Sequence, residues 1–185
     1  MNAQRLPGAP PRRPRCTALA PVPRAVAAAW AALWAITALG AVAVTADVGA
    51  LRTPAPHDAL AATLTPTTQL IAHNAIVAPW PLALTALGWA DLPGARRVGD
   101  ALITAQLLGH GLVVGGALAS HPAMWRYLPH LPAEWLALAI PAGTWVAART
   151  GPPGQHRPRQ LATAGAASLC AVVIAALLET YLVPL

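Results

Sequence analysis

Five stretches of this chain are apolar over roughly the length needed to cross a bilayer, and that leaves very few folds open. They are residues 25–46, 69–90, 98–120, 127–149 and 161–182. A helix rises 1.5 Å per residue, so each run covers a hydrocarbon core of about 30 Å. Hydrophobic types make up 56% of the chain and charged types only 10%, whereas a soluble domain carries about a quarter charged residues. The expected fold is all-α, a polytopic membrane helix bundle with five transmembrane helices.

The charges that remain are strongly sorted. All twelve basic residues are arginine, which, with the excess of alanine and proline, points to a GC-rich bacterial gene. Ten of them (Arg5, Arg12, Arg13, Arg15, Arg24, Arg96, Arg97, Arg149, Arg157 and Arg159) precede the first run or lie between the second and third or the fourth and fifth. Only Arg52 and Arg126 lie on the other side. Positively charged loops stay in the cytoplasm, so the amino end is expected inside and the carboxyl end outside the inner (cytoplasmic) membrane. The net charge of +6 therefore speaks for anionic lipid headgroups as partners and not for nucleic acid. Residues 1–24, with five arginines and six prolines, read as a disordered basic cytoplasmic tail, and residues 25–185 as the five-helix transmembrane domain. Cys16 and Cys170 are too far apart in this arrangement to form a disulfide framework.

Each run carries local signals. The first also fits a signal peptide ending at Val44-Thr45-Ala46. Its length, and Ala27, Ala31 and Ala35 on one face, favour a retained helix that packs through those alanines. Residues 57–64 fit a short surface helix. The second run is interrupted by Pro79 and Pro81 and carries His73 and Asn74. The third has Gly111 and Gly115 in a G-x-x-x-G pair, with Ala101, Ala105 and Gly109 on a neighbouring line. Small residues at this spacing let backbones approach closely, which predicts a central place for this helix. His110, in its middle, reads as a hydrogen-bonded packing residue.

The fourth run carries His130 and Glu134, which are expensive in a membrane unless they face protein, water or each other. Two helix starts are open. From Pro129, the two fall four apart on one face; from Pro132, Glu134 is a first-turn acid favoured by the helix dipole. Under the five-span topology Asn74, His130, Glu134 and Glu179 all fall in one layer toward the outer face. Three uses of that layer are open: a polar lock between helices, a transport or proton-relay path, and a metal site built on His130, Glu134 and Glu179. No H-E-x-x-H helix, Walker A or G-x-S-x-G motif occurs in the chain, so neither an enzyme nor a cofactor is expected, and no metal.

Residues 127–151, YLPHLPAEWLALAIPAGTWVAARTG, combine Pro-His, a Glu four positions after the His, and an Ala/Ile-rich run. Together with AALLETYLVP at 175–184 they resemble the stage II sporulation protein M family. His73-Asn74 and Gly111 with Gly115 fit the same pattern more loosely, so the resemblance covers about residues 69–184. The chain departs from it at Leu131 and His110, where the family has glycine and asparagine. The resemblance implies a non-enzymatic multispanning scaffold of the cell envelope, one that in sporulation organises partners such as cell-wall hydrolases and is open to homo-oligomers. The alternative is a small transporter or exporter permease component using Glu134 and Glu179.

The arginine asymmetry makes a direct prediction. A reporter inserted at Gly154 should read as cytoplasmic and one fused after Leu185 as external; both on one side would refute five alternating spans.

Overall fold

The computed structural model describes residues 21–46, 64–120, 128–153 and 158–182, and these are helical with no strand among them. The helices are α1 (Pro21–Ala46), α2 (Leu64–Val77), α3 (Trp80–Ala86), α4 (Pro93–Ser120), α5 (Leu131–Thr150) and α6 (Pro158–Leu182), with a 3-10 turn at Trp89–Asp91. Three stretches are long and apolar enough to cross a membrane: Val22–Thr45, Pro93–Ser120 and Pro158–Tyr181. The expected short helix over residues 57–64 and nearly all of the amino-terminal tail lie outside the described residues. The last four residues assigned to that tail, Pro21 to Arg24, already belong to α1.

Proline accounts for most helix starts, because its ring suits the first turn, where no intrahelical N–H is needed. Pro21, Pro93 and Pro158 each open a helix. Within the second apolar run proline has the opposite effect. Pro79 and Pro81 remove two donors in three residues, so the expected single span over 69–90 divides into α2 and α3. Gly88, in the left-handed region at φ 74°, then ends α3 and leads into the 3-10 turn.

Ile36 of α1 meets Gly111 of α4, and Val44 meets Gly116, so those two run parallel. Gly143 of α5 meets Val26 of α1, while the Trp30 indole N–H donates to the Pro132 carbonyl at 3.2 Å, so α5 runs the other way. On its far side α5 packs antiparallel to α6, which in turn lies against α2. One core gathers Leu33, Leu131, Trp135, Leu138 and Val172; the other gathers Ile103, Ala142, Trp145 and Ala148.

Small residues set the closest approaches. A methyl added at Gly115 would overlap the Thr37 carbonyl and stand 2.9 Å from the Ala41 nitrogen; one at Gly111 would stand 2.6 Å from the Ile36 side chain. One at Gly143 would come within 2.5 Å of the Val26 nitrogen. So α1 lies between α4 and α5 with little more than backbone at both crossings.

Two expectations are corrected here. Ala27, Ala31 and Ala35 are exposed; α1 packs instead through Val26, Leu33, Thr37 and Gly40. The most enclosed helix is α5, not the glycine-rich α4. In α4 the Ala101–Ala105–Gly109 line is exposed, and a methyl at Gly109 would meet nothing. Gly111, Gly115 and Gly116 all meet α1, whereas α5 is covered by α1, α3 and α6.

This difference between two glycines of one helix is testable. Gly115→Leu should strongly lower the yield of folded protein in detergent, because two backbones would have to separate. Gly109→Leu should leave it near the wild-type level. Equal losses would show that α4 does not meet α1 through Gly115.

Candidate functional site

Inside an apolar bundle a carbonyl without a donor costs about 1–3 kcal/mol, and proline creates such carbonyls one turn upstream of itself. Pro141, within α5, leaves the Ala137 carbonyl without its usual N–H. The fully buried Ser168 hydroxyl of α6 donates to that oxygen at 2.8 Å. Val77 ends α2, so its carbonyl has no intrahelical donor either, and there the Gln106 amide of α4 donates at 2.9 Å. Most other hydroxyls satisfy themselves by bonding back to the carbonyl four residues earlier, as Thr37, Thr85 and Thr144 do at 2.8, 2.9 and 2.8 Å.

The polar side chains of the fourth run sit at the start of α5. The helix begins at Leu131, with His130 as its N-cap residue and Glu134 in the first turn. The two helix starts considered above therefore merge: Glu134 has the favourable dipole position and also lies 3.5 Å from His130 Nε2. Glu179 of α6 is within electrostatic reach of both. Asn74 and Glu134 line one cleft, together with Val77, Ala78, Leu138, Val172 and Ala175. The structure thus brings Asn74, His130, Glu134 and Glu179 to one region of the bundle, through pairwise neighbours around Glu134.

His110 lines the same cleft and is hydrogen-bonded within its own helix, as the packing reading expects. Its Nδ1 is 2.9 Å from the Gln106 carbonyl oxygen one turn earlier. Periodicity alone could not place it, because the side of α4 that faces the cleft depends on where α1 binds. Gly111 and Gly115 lie outside the cleft, at the α1 crossing. Among the described residues no three His, Cys, Asp or Glu side chains form a metal-ligand group.

A second polar group lies at the opposite end of α5. Asp100 of α4 accepts the Trp145 indole N–H at 2.8 Å and pairs with Arg149. The Trp145 ring lies over Gly99, where a methyl would overlap it. Asp100 drew no attention in the sequence because it lies 49 residues from its cation. The signal was the acid itself, eight residues into a helix that carries no further acid or arginine beyond it.

No protein-family model, curated protein or solved structure matches this chain.

Asp100→Ala should destabilise the protein by about 1–3 kcal/mol, because it leaves the N–H of the buried Trp145 without its acceptor. Arg149→Ala should cost less, within the ~0–1 kcal/mol usual for partly exposed ion pairs. Thermal unfolding in detergent gives both; the reverse ranking would assign the contact to the ion pair.

Proposed function

We propose that the chain is a non-enzymatic integral membrane protein that organises other membrane or cell-wall proteins, in the manner of the stage II sporulation protein M family its sequence resembles. In this reading it crosses the inner membrane five times, with the amino end cytoplasmic and the carboxyl end outside. The three long apolar helices, α5, and the α2–α3 pair joined at its proline break supply the crossings. One observation carries the scaffold reading: the polar groups inside the bundle mostly bond to the bundle itself. Ser168, Gln106, Trp30, Trp145 and His130 each tie one backbone or side chain to another. The cleft has an accessible volume of only about 20 Å³, room for about one water and far below the ~300–1,000 Å³ of small-molecule sites. Outside, α1, α4 and α6 present Val42, Val113 and Ile174, apolar and exposed, to lipid or to membrane partners. The second reading, a small transporter or exporter permease component, is favoured by one observation, the convergence of Glu134 and Glu179 near a cleft.

Photo-crosslinking side chains placed at Val113 and Ile174 in native membranes separate the two. The scaffold reading expects one recurring envelope protein, such as a cell-wall hydrolase or its membrane anchor, bound in stable ratio to the chain. Crosslinks to lipid alone, with solute flux in vesicles of the purified protein that Glu134→Gln abolishes, would replace it with the transport reading.

A further inference from the structure

The corner where α4 starts and α5 ends holds more positive charge than the bundle uses. Asp100 is the only acid of α4, and both its oxygens are taken. Oδ1 accepts the Trp145 indole N–H, and Oδ2 pairs with Arg149. Side chains three and four positions apart on a helix are neighbours, with about 5–6 Å between Cβ atoms, so Arg96 and Arg97 stand beside Asp100, one turn before it. Both are exposed, and neither guanidinium makes a hydrogen bond or an ion pair. Arg149 is 37% exposed and meets Asp100 through Nη1 alone. Asp91, in the turn before α4, has a contact of its own. Three guanidinium groups thus gather at one carboxylate that has no oxygen left for two of them. Further along α4, Leu102, Leu108 and Leu112 are exposed, and the helix is long and apolar enough to cross a membrane. The arginines of its first turns then stand at headgroup depth, with an apolar wall beside them.

We propose that this corner binds the phosphate of one anionic phospholipid. Arg96 and Arg97 hold the phosphate oxygens, Arg149 adds its second Nη, and the acyl chains lie along the exposed leucines of α4. A guanidinium presents paired N–H groups that match two oxygens of a phosphate, and such charge-assisted bonds are the strong ones. A free phosphate ion would use the arginines alone; the leucines select the lipid. The bound headgroup joins α4 to α5 beside the Asp100–Trp145 contact, at the end of the bundle away from the polar cleft. This is more specific than the general attraction of arginines for anionic headgroups. Arg24 and Arg159 are exposed and unpaired as well, but neither has an acid within one turn that gathers other arginines around it. The inference requires only that α4 crosses the membrane and is independent of the scaffold reading.

The test uses the full chain purified in detergent, with phosphatidylglycerol, phosphatidylcholine or inorganic phosphate added. It reads thermal unfolding and, by native mass spectrometry, the lipid retained per chain. The wild type should keep one phosphatidylglycerol and unfold at a higher temperature with it; phosphatidylcholine should not be kept, and neither it nor inorganic phosphate should raise that temperature. The double variant Arg96→Gln/Arg97→Gln should bind phosphatidylglycerol about tenfold more weakly or worse, the effect of losing hydrogen bonds to a charged group. Arg24→Gln/Arg159→Gln removes the same charge elsewhere and should bind as the wild type does. Equal weakening in the two double variants would show a diffuse attraction and overturn the site, as would undiminished binding in the first. Stabilisation by phosphatidylcholine or inorganic phosphate as large as that by phosphatidylglycerol would overturn the anionic lipid as occupant. Should Arg96→Gln/Arg97→Gln not fold, Arg97→Gln alone decides by the same criteria.

Discussion

The bundle depends on one requirement, that a carbonyl left without its donor by proline or at a helix end must find another inside an apolar medium. The Ala137 carbonyl, one turn before Pro141, takes its donor from α6, and the Val77 carbonyl at the end of α2 takes its donor from α4. Each repair is therefore also a fastening. Ser168 binds α6 to α5 at mid-height, and Gln106 binds α4 to the end of α2. The apolar effect that orders soluble proteins gives little preference between helix and lipid, so such contacts and close small-residue packing decide the arrangement. Gly111, Gly115 and Gly143 supply that packing around α1.

The same fastenings place the polar cleft. Gln106 holds Val77 with its side chain and His110 with its backbone oxygen, so the break in the second apolar run sets where His110 stands relative to Asn74. Ser168 fixes α6 against α5, which brings Glu179 toward His130 and Glu134. At the other end Asp100, Trp145 and Arg149 close α4 on α5. A helix with polar ties at both ends and a buried proline between them is held more firmly than its apolar sequence suggests.

Much of this was legible in the residues. The apolar runs give helices near the expected places, and depth counting under an alternating topology groups Asn74, His130, Glu134 and Glu179. Two features were not legible, for different reasons. The alanine face of α1 was misread because small residues permit contact without requiring it, and Trp30 and Leu33 supply more surface. The central place went to α5 because enclosure depends on how many neighbours surround a helix, which glycine spacing does not encode. Ser168 could have been found: counting back four residues from Pro141 names the stranded carbonyl, and few donors lie at matching depth on neighbouring helices.

The most direct measurement is a double-mutant cycle between Pro141 and Ser168, read as unfolding free energy in detergent. Alone, Ser168→Ala should cost about 1–3 kcal/mol, the penalty for a buried carbonyl left unpaired. In the Pro141→Ala background the residue at 141 regains its N–H and can bond to Ala137, so the same substitution should cost less than half as much. The packing lost at Pro141 cancels in the cycle. An equal cost in both backgrounds would contradict the account, since Ser168 would then stabilise the bundle without replacing the donor that proline removes.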